Sequence, residues 1–170
     1  MATGVMLSAV VADTPLGPMT VVMGTDGVLA TFATDDPGEP EALALKLDTT
    51  LGGTVTGSRR VRRELDAYFN GSLRRFETQV DLMRCGNGFS RRVLEQTRSV
   101  PYGELRTYGD VAAAAGSPRA ARAAGGALAR CPIELFVPCH RVVGAGPTLG
   151  SYGGHDERRR FFLRLEGAIE

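Results

Sequence analysis

Long apolar runs are missing from this sequence, and no stretch approaches the roughly 18 consecutive apolar residues of a membrane-spanning helix. The N-terminus lacks the basic stretch, apolar run and small-residue cleavage site that together form a secretory signal. Cysteine is also scarce: Cys85, Cys131 and Cys139 are an odd number of thiols in a chain of 170 residues, which does not indicate disulfide stapling. We therefore expect free thiols, no membrane partner and a cytoplasmic location.

The net charge is only +1, but the charged residues are unevenly distributed along the chain. Residues 1–83 contain 7 Lys and Arg against 11 Asp and Glu, whereas residues 84–141 contain 9 against 4. A local basic excess suits a nucleic acid partner, because Lys and Arg gain affinity by releasing counterions from phosphates. Charge alone leaves open a second interpretation, in which these arginines form a solvated surface.

The first half of the sequence predicts a small antiparallel sheet followed by helix. Residues 38–48 resemble a helix, and residues 49–57 fit either a strand or a loop. A helix is predicted from Ser58, with Asn70-Gly71 as its stop signal and with Val61, Leu65 and Phe69 on one face. The sheet is predicted from apolar residues 5–11, 19–23 and 28–32, which are separated by turn-forming residues 14–18 and 24–27.

The second half of the sequence is mostly helical, and residues 73–88, which have no clear period, separate it from the first. We place the domain boundary near residue 85. Ser90 is predicted to cap a helix that ends before Pro101. Thr107 and Asp110 form a capping-box pattern at the start of another helix, and Ser117-Pro118 predicts the start of one that continues to residue 129. Two short helices joined by a tight turn indicate a helix-turn-helix.

The second of these helices is built mostly from alanine and glycine, and Arg119 and Arg122 are its charged side chains. Small residues permit close approach of the helix backbone to another surface. That surface is either a neighbouring helix in the core or, as the arginines favour, DNA.

The most distinctive chemical feature is Cys139-His140, which follows an apolar run at residues 133–137. A free cysteine is more often a small buried residue than a nucleophile. Because an ordinary thiol is mostly protonated at neutral pH, a nucleophilic cysteine needs a base or a positive field nearby. His140 can supply the base, and a carboxylate can orient it. The other histidine, His155, lies in a polar stretch typical of a solvated loop.

Several motifs together resemble those of the methylated-DNA–protein-cysteine methyltransferases, also called alkylguanine-DNA alkyltransferases. They occur in the family's order and spacing, without a gap from Tyr108 to Glu166, and weaker similarity extends back to Thr14. The motifs are Pro101-Tyr102-Gly103-Glu104, Thr107-Tyr108-Gly109, Ala121-Arg122-Ala123-Ala124-Gly125-Gly126, Pro138-Cys139-His140-Arg141-Val142, Tyr152-Gly153-Gly154 and Leu165-Glu166-Gly167.

This resemblance implies a catalytic role for four residues. Cys139 matches the alkyl acceptor, His140 the base that acts on it through a water, and Glu166 the carboxylate that orients the histidine. Tyr108 matches the tyrosine that helps to rotate the nucleotide out of the helix and donates a proton to the departing guanine.

The resemblance also implies a DNA-binding surface and a base pocket. Arg122 matches the arginine that fills the gap left in the base stack, and the small-residue helix would enter the minor groove. The residues predicted to contact DNA are Tyr108, Arg119, Ala121, Arg122, Ala123 and Gly125. Those predicted to line the substrate pocket are Pro138, Val142, Tyr152, Gly153 and Gly154. No metal and no organic cofactor is expected.

The implied fold class is α+β. Residues 1–84 are predicted to form a small N-terminal α/β domain with an antiparallel, RNase H-like sheet and the connection that follows it. Residues 85–170 are predicted to form a mostly helical C-terminal domain that binds DNA and carries the acceptor. The implied function is irreversible, single-turnover transfer of an alkyl group from O6 of guanine, and O4 of thymine, in double-stranded DNA. A monomer is expected, with cooperative binding on DNA left open.

The sequence departs from the family pattern at Cys131, where the family usually has an Asn that braces the turn before the active-site segment. A thiol hydrogen-bonds more weakly than an amide, so the transfer rate is expected to suffer more than the function itself. Cys85 is interpreted as incidental, and a Cys131–Cys139 disulfide is not expected because it would disable the acceptor. Two alternative functions are a lesion-binding protein without transfer, which the presence of Cys139 opposes, and a cysteine hydrolase using Cys139, His140 and Glu166.

Overall fold

The computed structural model describes residues 7–33 and 58–170. The chain divides into two compact units, residues 1–81 and residues 82–170. The predictions for residues 38–48 and 49–57, and for the first two residues of the segment 5–11, lie outside the described residues. Within the described ranges, no helix combines the length and the apolar character needed to cross a bilayer.

The first unit contains the predicted antiparallel meander, in the order β1 (Ser8–Thr14), β2 (Gly17–Gly24) and β3 (Gly27–Phe32). Alternate residues of β1 are buried, as expected for a strand with one face on a core. Leu7, Val22, Leu29 and Ala30 form a buried cluster on this sheet. The three strands therefore confirm the prediction made from the apolar segments.

The turn between β1 and β2 is shorter than the predicted break at residues 14–18. Thr14 and Gly17 belong to the strands, so Pro15 and Leu16 alone form the loop. The Thr14 hydroxyl donates to the carbonyl of Gly17 over 2.6 Å and accepts from the amide of Leu16, which closes a two-residue hairpin. The Thr14 side chain supplies the hydrogen bonds within the turn, and the pairing of the two strands continues up to Thr14 and Gly17.

Gly27 shows why the second turn requires glycine. Its φ is +134°, and a Cβ there would lie 2.4 Å from the carbonyl oxygen of Gln79. The close approach allows Val28 to hydrogen-bond Gln79 and Asp81, so residues 79–81 lie alongside β3. Helix α1 (Ser58–Phe69) precedes this segment, and it begins at the predicted residue and ends immediately before Asn70.

The second unit consists of short helices and one two-stranded sheet. Strand β4 pairs in parallel with β5, with Arg106 opposite Val142 and Thr107 opposite Val143. The elements in chain order are α2 (Phe89–Arg98), β4 (Arg106–Thr107), α3 (Tyr108–Ala114), α4 (Ala121–Ala129), β5 (Val142–Val143) and α5 (Asp156–Leu165). Helices α2, α3 and α4 pack against one another.

Helix α3 begins and ends as the sequence predicts. The Thr107 hydroxyl accepts from the amide of Asp110 over 3.1 Å, and the Asp110 carboxylate accepts from the amide of Thr107 over 2.8 Å, which is a complete capping box. Gly116 follows the helix with φ of +86° and donates to the carbonyl of Ala113. These contacts fix both ends of a helix of only seven residues.

Two predicted helix starts are wrong. Helix α2 starts at Phe89 with Gly88 as its cap, so Ser90 lies inside the helix. Helix α4 starts at Ala121 and not at Pro118, because the amide of Ala120 bonds to the carbonyl of Ser117 and closes a separate turn. Helices α3 and α4 nevertheless remain two packed helices joined by a short connection, as the helix-turn-helix prediction requires.

Strands and helices are both present, so the predicted α+β class is confirmed. The RNase H-like topology of the N-terminal region and the functional division into residues 1–84 and 85–170 stay predictions.

Candidate active site

The segment that leads to Cys139 turns tightly. Leu135 has φ of 69°, a left-handed conformation that costs a non-glycine residue about 1 kcal/mol. The amide of Phe136 donates to the carbonyl of Glu134 over 2.9 Å, and the amide of Cys139 donates to the carbonyl of Val137 over 2.7 Å. Residues 139–141 then form one 3-10 turn, which places Cys139 at the start of this turn and β5 directly after it.

His140 and Glu166 form a buried pair beside Cys139. His140 is completely buried, and its Nε2 lies 2.7 Å from Oε1 of Glu166, at the C-terminal end of α5. The imidazole packs against the ring of Phe162, with a centroid distance of 5.1 Å. Cys139 itself is 8% exposed. The structure therefore brings together the predicted acceptor, base and carboxylate in one unit of the chain.

Arg141 binds the same carboxylate. Its Nε lies 2.9 Å from Glu166 Oε2 and its Nη2 lies 3.0 Å from Oε1, while Nη1 donates to the carbonyl of Val100 over 2.7 Å. The amide of Gly103 also donates to Oε2, over 3.2 Å. The carboxylate thus accepts from an imidazole, a two-pronged guanidinium and a backbone amide, which satisfies both oxygens.

These contacts set the charge states of the pair. Burial raises the pKa of Glu166, but the hydrogen bonds from His140 and Arg141 lower it by more, so the net pKa lies well below the ordinary value of 4.5. Burial lowers the pKa of His140 below 6.5, although the nearby Glu166 carboxylate opposes this effect. At neutral pH the carboxylate is therefore an anion and the imidazole is neutral.

The tautomer of His140 follows from the hydrogen bonding. An ionised carboxylate only accepts, so Nε2 carries the ring proton and Nδ1 carries the lone pair. Nδ1 is buried and has no hydrogen-bond partner among the described protein groups. The basic nitrogen of the ring is therefore available to a further group.

The three cysteines converge on one place in the second unit. The Cys131 thiol interacts with the thiols of Cys139 and Cys85, and the interaction with Cys139 is the main cause of its raised pKa. Its Sγ also lies 4.0 Å from the carbonyl of Ile133. All three cysteines are free thiols. The sequence alone indicates an incidental Cys85, whereas in the structure its side chain interacts with the Cys131 thiol, which also interacts with the candidate acceptor.

Tyr152 lies in the loop between β5 and α5. Its hydroxyl donates to Glu134 over 3.1 Å, and the Arg159 guanidinium lies 5.0 Å from the centre of its ring. Burial, the Glu134 carboxylate and the nearby Cys139 raise the pKa of Tyr152 well above 10.0, so its phenol stays a donor. The other residues predicted to line the pocket are placed as follows: Pro138 and Val142 are buried next to Cys139, and Gly153 and Gly154 are exposed with positive φ.

Helix α4 presents two different faces. Ala124, Ala127 and Leu128 are buried, whereas Arg122 and Ala123 are exposed. Both interpretations made from the sequence therefore apply to the small residues of α4: some pack in the core, and others lie on an exposed face. Of the remaining residues predicted to bind DNA, Arg119 is exposed in the turn before α4, and Ala121 and Gly125 are partly buried.

Tyr108 begins α3, and its ring lies against α4. A methyl group placed on Gly125 would lie 3.7 Å from the ring of Tyr108. The preceding residue, Thr107, pairs with Val143 across the parallel sheet. The sheet thus connects the start of α3 to the segment that carries Cys139.

Sequence reasoning missed two residues of this site, Arg141 and Glu134. Arg141 stands in the quoted motif beside His140 and is an always-charged residue in an otherwise apolar stretch, a signal that it requires an anionic partner. Glu134 likewise interrupts the apolar run 133–137, and a carboxylate in such a run requires hydrogen-bond donors.

The geometry defines a class of protein: one that carries a buried cysteine beside a histidine oriented by a carboxylate, next to a pair of packed helices. Residues 88–168 match the family model described as the 6-O-methylguanine DNA methyltransferase DNA-binding domain. A methylated-DNA–protein-cysteine methyltransferase from Mycobacterium leprae is 40% identical over 156 residues, which cover 91% of this chain and 88% of that protein.

Solved structures show the same likeness. The crystal structure of Mycobacterium tuberculosis O6-methylguanine methyltransferase matches with a TM-score of 0.80 at 35% identity, covering 96% of this chain and 94% of that one. The Mycobacterium tuberculosis protein in complex with DNA matches with a TM-score of 0.78 at 34% identity, with the same coverage. The chain belongs to the methylated-DNA–protein-cysteine methyltransferase family, and the resemblance inferred from its motifs is confirmed.

Proposed function

We propose that this chain repairs alkylated double-stranded DNA by transferring the alkyl group from O6 of guanine to Sγ of Cys139, once per molecule. The observation that carries the proposal is the buried imidazole of His140, which is oriented by Glu166 and directly follows Cys139. O4 of thymine presents the same kind of alkyl-oxygen bond and is a second substrate of the proposed reaction.

Activation of the thiol uses the available nitrogen of His140. Nδ1 takes the thiol proton of Cys139 through a water, and Glu166 stabilises the imidazolium that forms. A neutral imidazole is required for this step. Burial supplies it by lowering the pKa of His140.

The transfer is an in-line displacement at an sp3 carbon. The thiolate forms a carbon-sulfur bond as the bond from that carbon to O6 breaks, and the electron pair leaves with the guanine. Tyr108 donates its hydroxyl proton to the guanine ring, which makes it a better leaving group. The product on the protein is a thioether, which water does not hydrolyse, so each molecule reacts once.

Access to the alkyl carbon requires the nucleotide to leave the duplex, which costs a few kcal/mol and costs less for a poorly paired damaged base. The exposed face of α4 fits the minor groove, since Ala123 adds little bulk there. Arg122 fills the gap in the stack, and Arg119 binds phosphate. A monomer suffices for this docking, with residues 85–170 carrying both the DNA surface and the acceptor.

The test is incubation with duplex DNA containing O6-methylguanine, followed by intact mass measurement and peptide mapping. We expect a gain of one methyl group on Cys139 at one equivalent per protein, and none in Cys139→Ala. Cys85→Ser is the matched control and should still be methylated. Bound DNA without an adduct would instead indicate a lesion-binding protein, and repeated turnover of ester or amide substrates would indicate a hydrolase.

A further inference from the structure

The carboxylate of Glu134 joins the segment before Cys139 to the loop at residues 144–155 and to the first turn of α5, which follows that loop. Oε1 accepts from the hydroxyl of Tyr152 over 3.1 Å, and Oε2 accepts from Nη1 of Arg158 over 3.1 Å. The Arg158 and Glu134 side chains are only 15% and 17% exposed. At this degree of burial, a charge-assisted bond is stronger than one at an exposed site.

Other contacts hold the backbone of the same loop. The fully buried Arg159 donates to the carbonyls of Leu149 and Gly150, and the carboxylate of Asp156 accepts from the amide of Tyr152 over 2.9 Å. These bonds fix the path of the chain. Glu134 is different because it binds the end of the Tyr152 side chain.

Tyr152 and Glu134 also lie close to the reacting groups. Tyr152 interacts electrostatically with Cys139, and Glu134 interacts electrostatically with the imidazole of His140. In the proposed function Tyr152 lines the base pocket beside the acceptor, so a change in the position of its hydroxyl changes one wall of that pocket. The Tyr152 hydroxyl points to Glu134, so the carboxylate determines where this wall lies.

We infer that Glu134 is a positioning residue for alkyl transfer, which holds the Tyr152 hydroxyl and, with Arg158, keeps the loop at residues 144–155 in the conformation that lines the base pocket. The inference rests on the proposed function. It predicts an effect on the rate of transfer within the bound complex and not on affinity for DNA, because Glu134 lies outside the docking surface proposed for α4.

The experiment is single-turnover transfer from O6-methylguanine DNA over a range of protein concentrations, which separates the saturating rate from the half-saturating concentration. Glu134→Gln keeps the shape but loses the charge, and we expect about a fivefold fall in the saturating rate, since charged hydrogen bonds are roughly twice as strong as neutral ones. Glu134→Ala should lower the rate about tenfold or more. Half-saturation should stay within twofold of the wild-type value, roughly the scatter expected for an uncoupled site.

A double-mutant cycle tests whether the effect passes through Tyr152. Tyr152→Phe removes only the hydroxyl, and the rate loss in Glu134→Ala with Tyr152→Phe should be clearly smaller than the product of the two single losses. Glu157→Gln is the matched control, because Glu157 is an exposed carboxylate on the same helix as Arg158. It should transfer at the wild-type rate. Fully multiplicative losses would overturn the coupling between Glu134 and Tyr152.

Hydrogen exchange of the DNA-free protein gives a readout that does not depend on activity. Amides at residues 144–155 should exchange faster in Glu134→Gln than in the wild type or Glu157→Gln. Faster exchange with unchanged transfer would overturn the positioning role, and unchanged exchange in Glu134→Ala would overturn the contact with the loop. If the wild type accepts no methyl group, the proposed function fails, whereas the exchange data still decide whether Glu134 holds the loop.

Discussion

Replacing Glu166 by Gln tests the buried network at its centre. In the native protein, Oε1 accepts from His140 and Arg141, and Oε2 accepts from Arg141 and Gly103. An amide has one oxygen and one NH2 group, so whichever position the NH2 group takes, it faces two donors. Two hydrogen bonds are lost and the Arg141 cation is left buried without a counterion.

The expected cost is large because of that uncompensated charge. Removing one partner of a buried ion pair typically costs about 3–5 kcal/mol. That cost is a substantial part of the roughly 5–15 kcal/mol that stabilises a domain. Glu157→Gln, the exposed control, should change the free energy of unfolding by less than about 0.5 kcal/mol.

Urea unfolding followed by circular dichroism measures the difference, and its pH dependence checks the cause. Because the pKa of Glu166 is lower in the folded state, its ionic stabilisation is present above about pH 4.5, the ordinary value, and is lost as the pH falls below it. The difference in the free energy of unfolding between the wild type and Glu166→Gln should therefore become smaller below pH 4.5. A gap under about 1 kcal/mol at pH 7, or one that does not change with pH, would refute the ionic account of this site.

Three further predictions concern transfer and binding. As the pH is lowered, the transfer rate should stay constant to below pH 6.5 and then fall as His140 gains a proton, because burial lowers the pKa of its imidazole. Transfer rates measured across pH check this, and a fall that begins above pH 6.5 would contradict it. Arg122→Ala should weaken DNA binding by about tenfold, the value of one charged hydrogen bond, and should reduce transfer. Arg160 is an exposed arginine on α5, and Arg160→Ala should change both binding and transfer less. Equal effects of the two substitutions would argue against α4 as the docking helix. Cys131→Asn should raise the single-turnover rate, since an amide braces its turn better than a thiol, and an unchanged or lower rate would show that the thiol is not a defect.

Local signals in the sequence were sufficient for most of the fold of the described residues. The capping box of Thr107 and Asp110 predicted the start of α3, and the Asn70-Gly71 stop predicted the end of α1. Both features act within a few residues of chain. The helix starts predicted from Ser90 and from Ser117-Pro118 were wrong, because these signals too are local and depend on the backbone conformation of the neighbouring residues. A serine is a cap only if its side chain meets a free amide, and here the neighbouring residues take different backbone conformations.

The candidate site was predictable as a set of residues but not as a network. Motif order indicated Cys139, His140 and Glu166, and the structure places the last two in contact. Which further residues join them depends on side chains far apart in sequence: Arg141 reaches Val100 and Glu166, and Glu134 reaches Tyr152. No periodicity or local propensity contains that information. What the sequence does show is that a charged residue in an apolar stretch needs a partner.

Arg141 explains how one buried carboxylate supports a neutral histidine. Burial alone would raise the pKa of Glu166 and would favour its protonated form, which orients the imidazole poorly. Hydrogen bonds from His140 and from the two-pronged guanidinium of Arg141 keep the carboxylate ionised. Of these two donors, the arginine is never deprotonated in proteins. Glu166 can then accept from Nε2 and leave Nδ1 as the base, while burial keeps the ring uncharged until it takes a proton. Arg141 thus helps to keep Glu166 ionised, and its own charge lowers the pKa of the His140 imidazole, which favours the neutral ring.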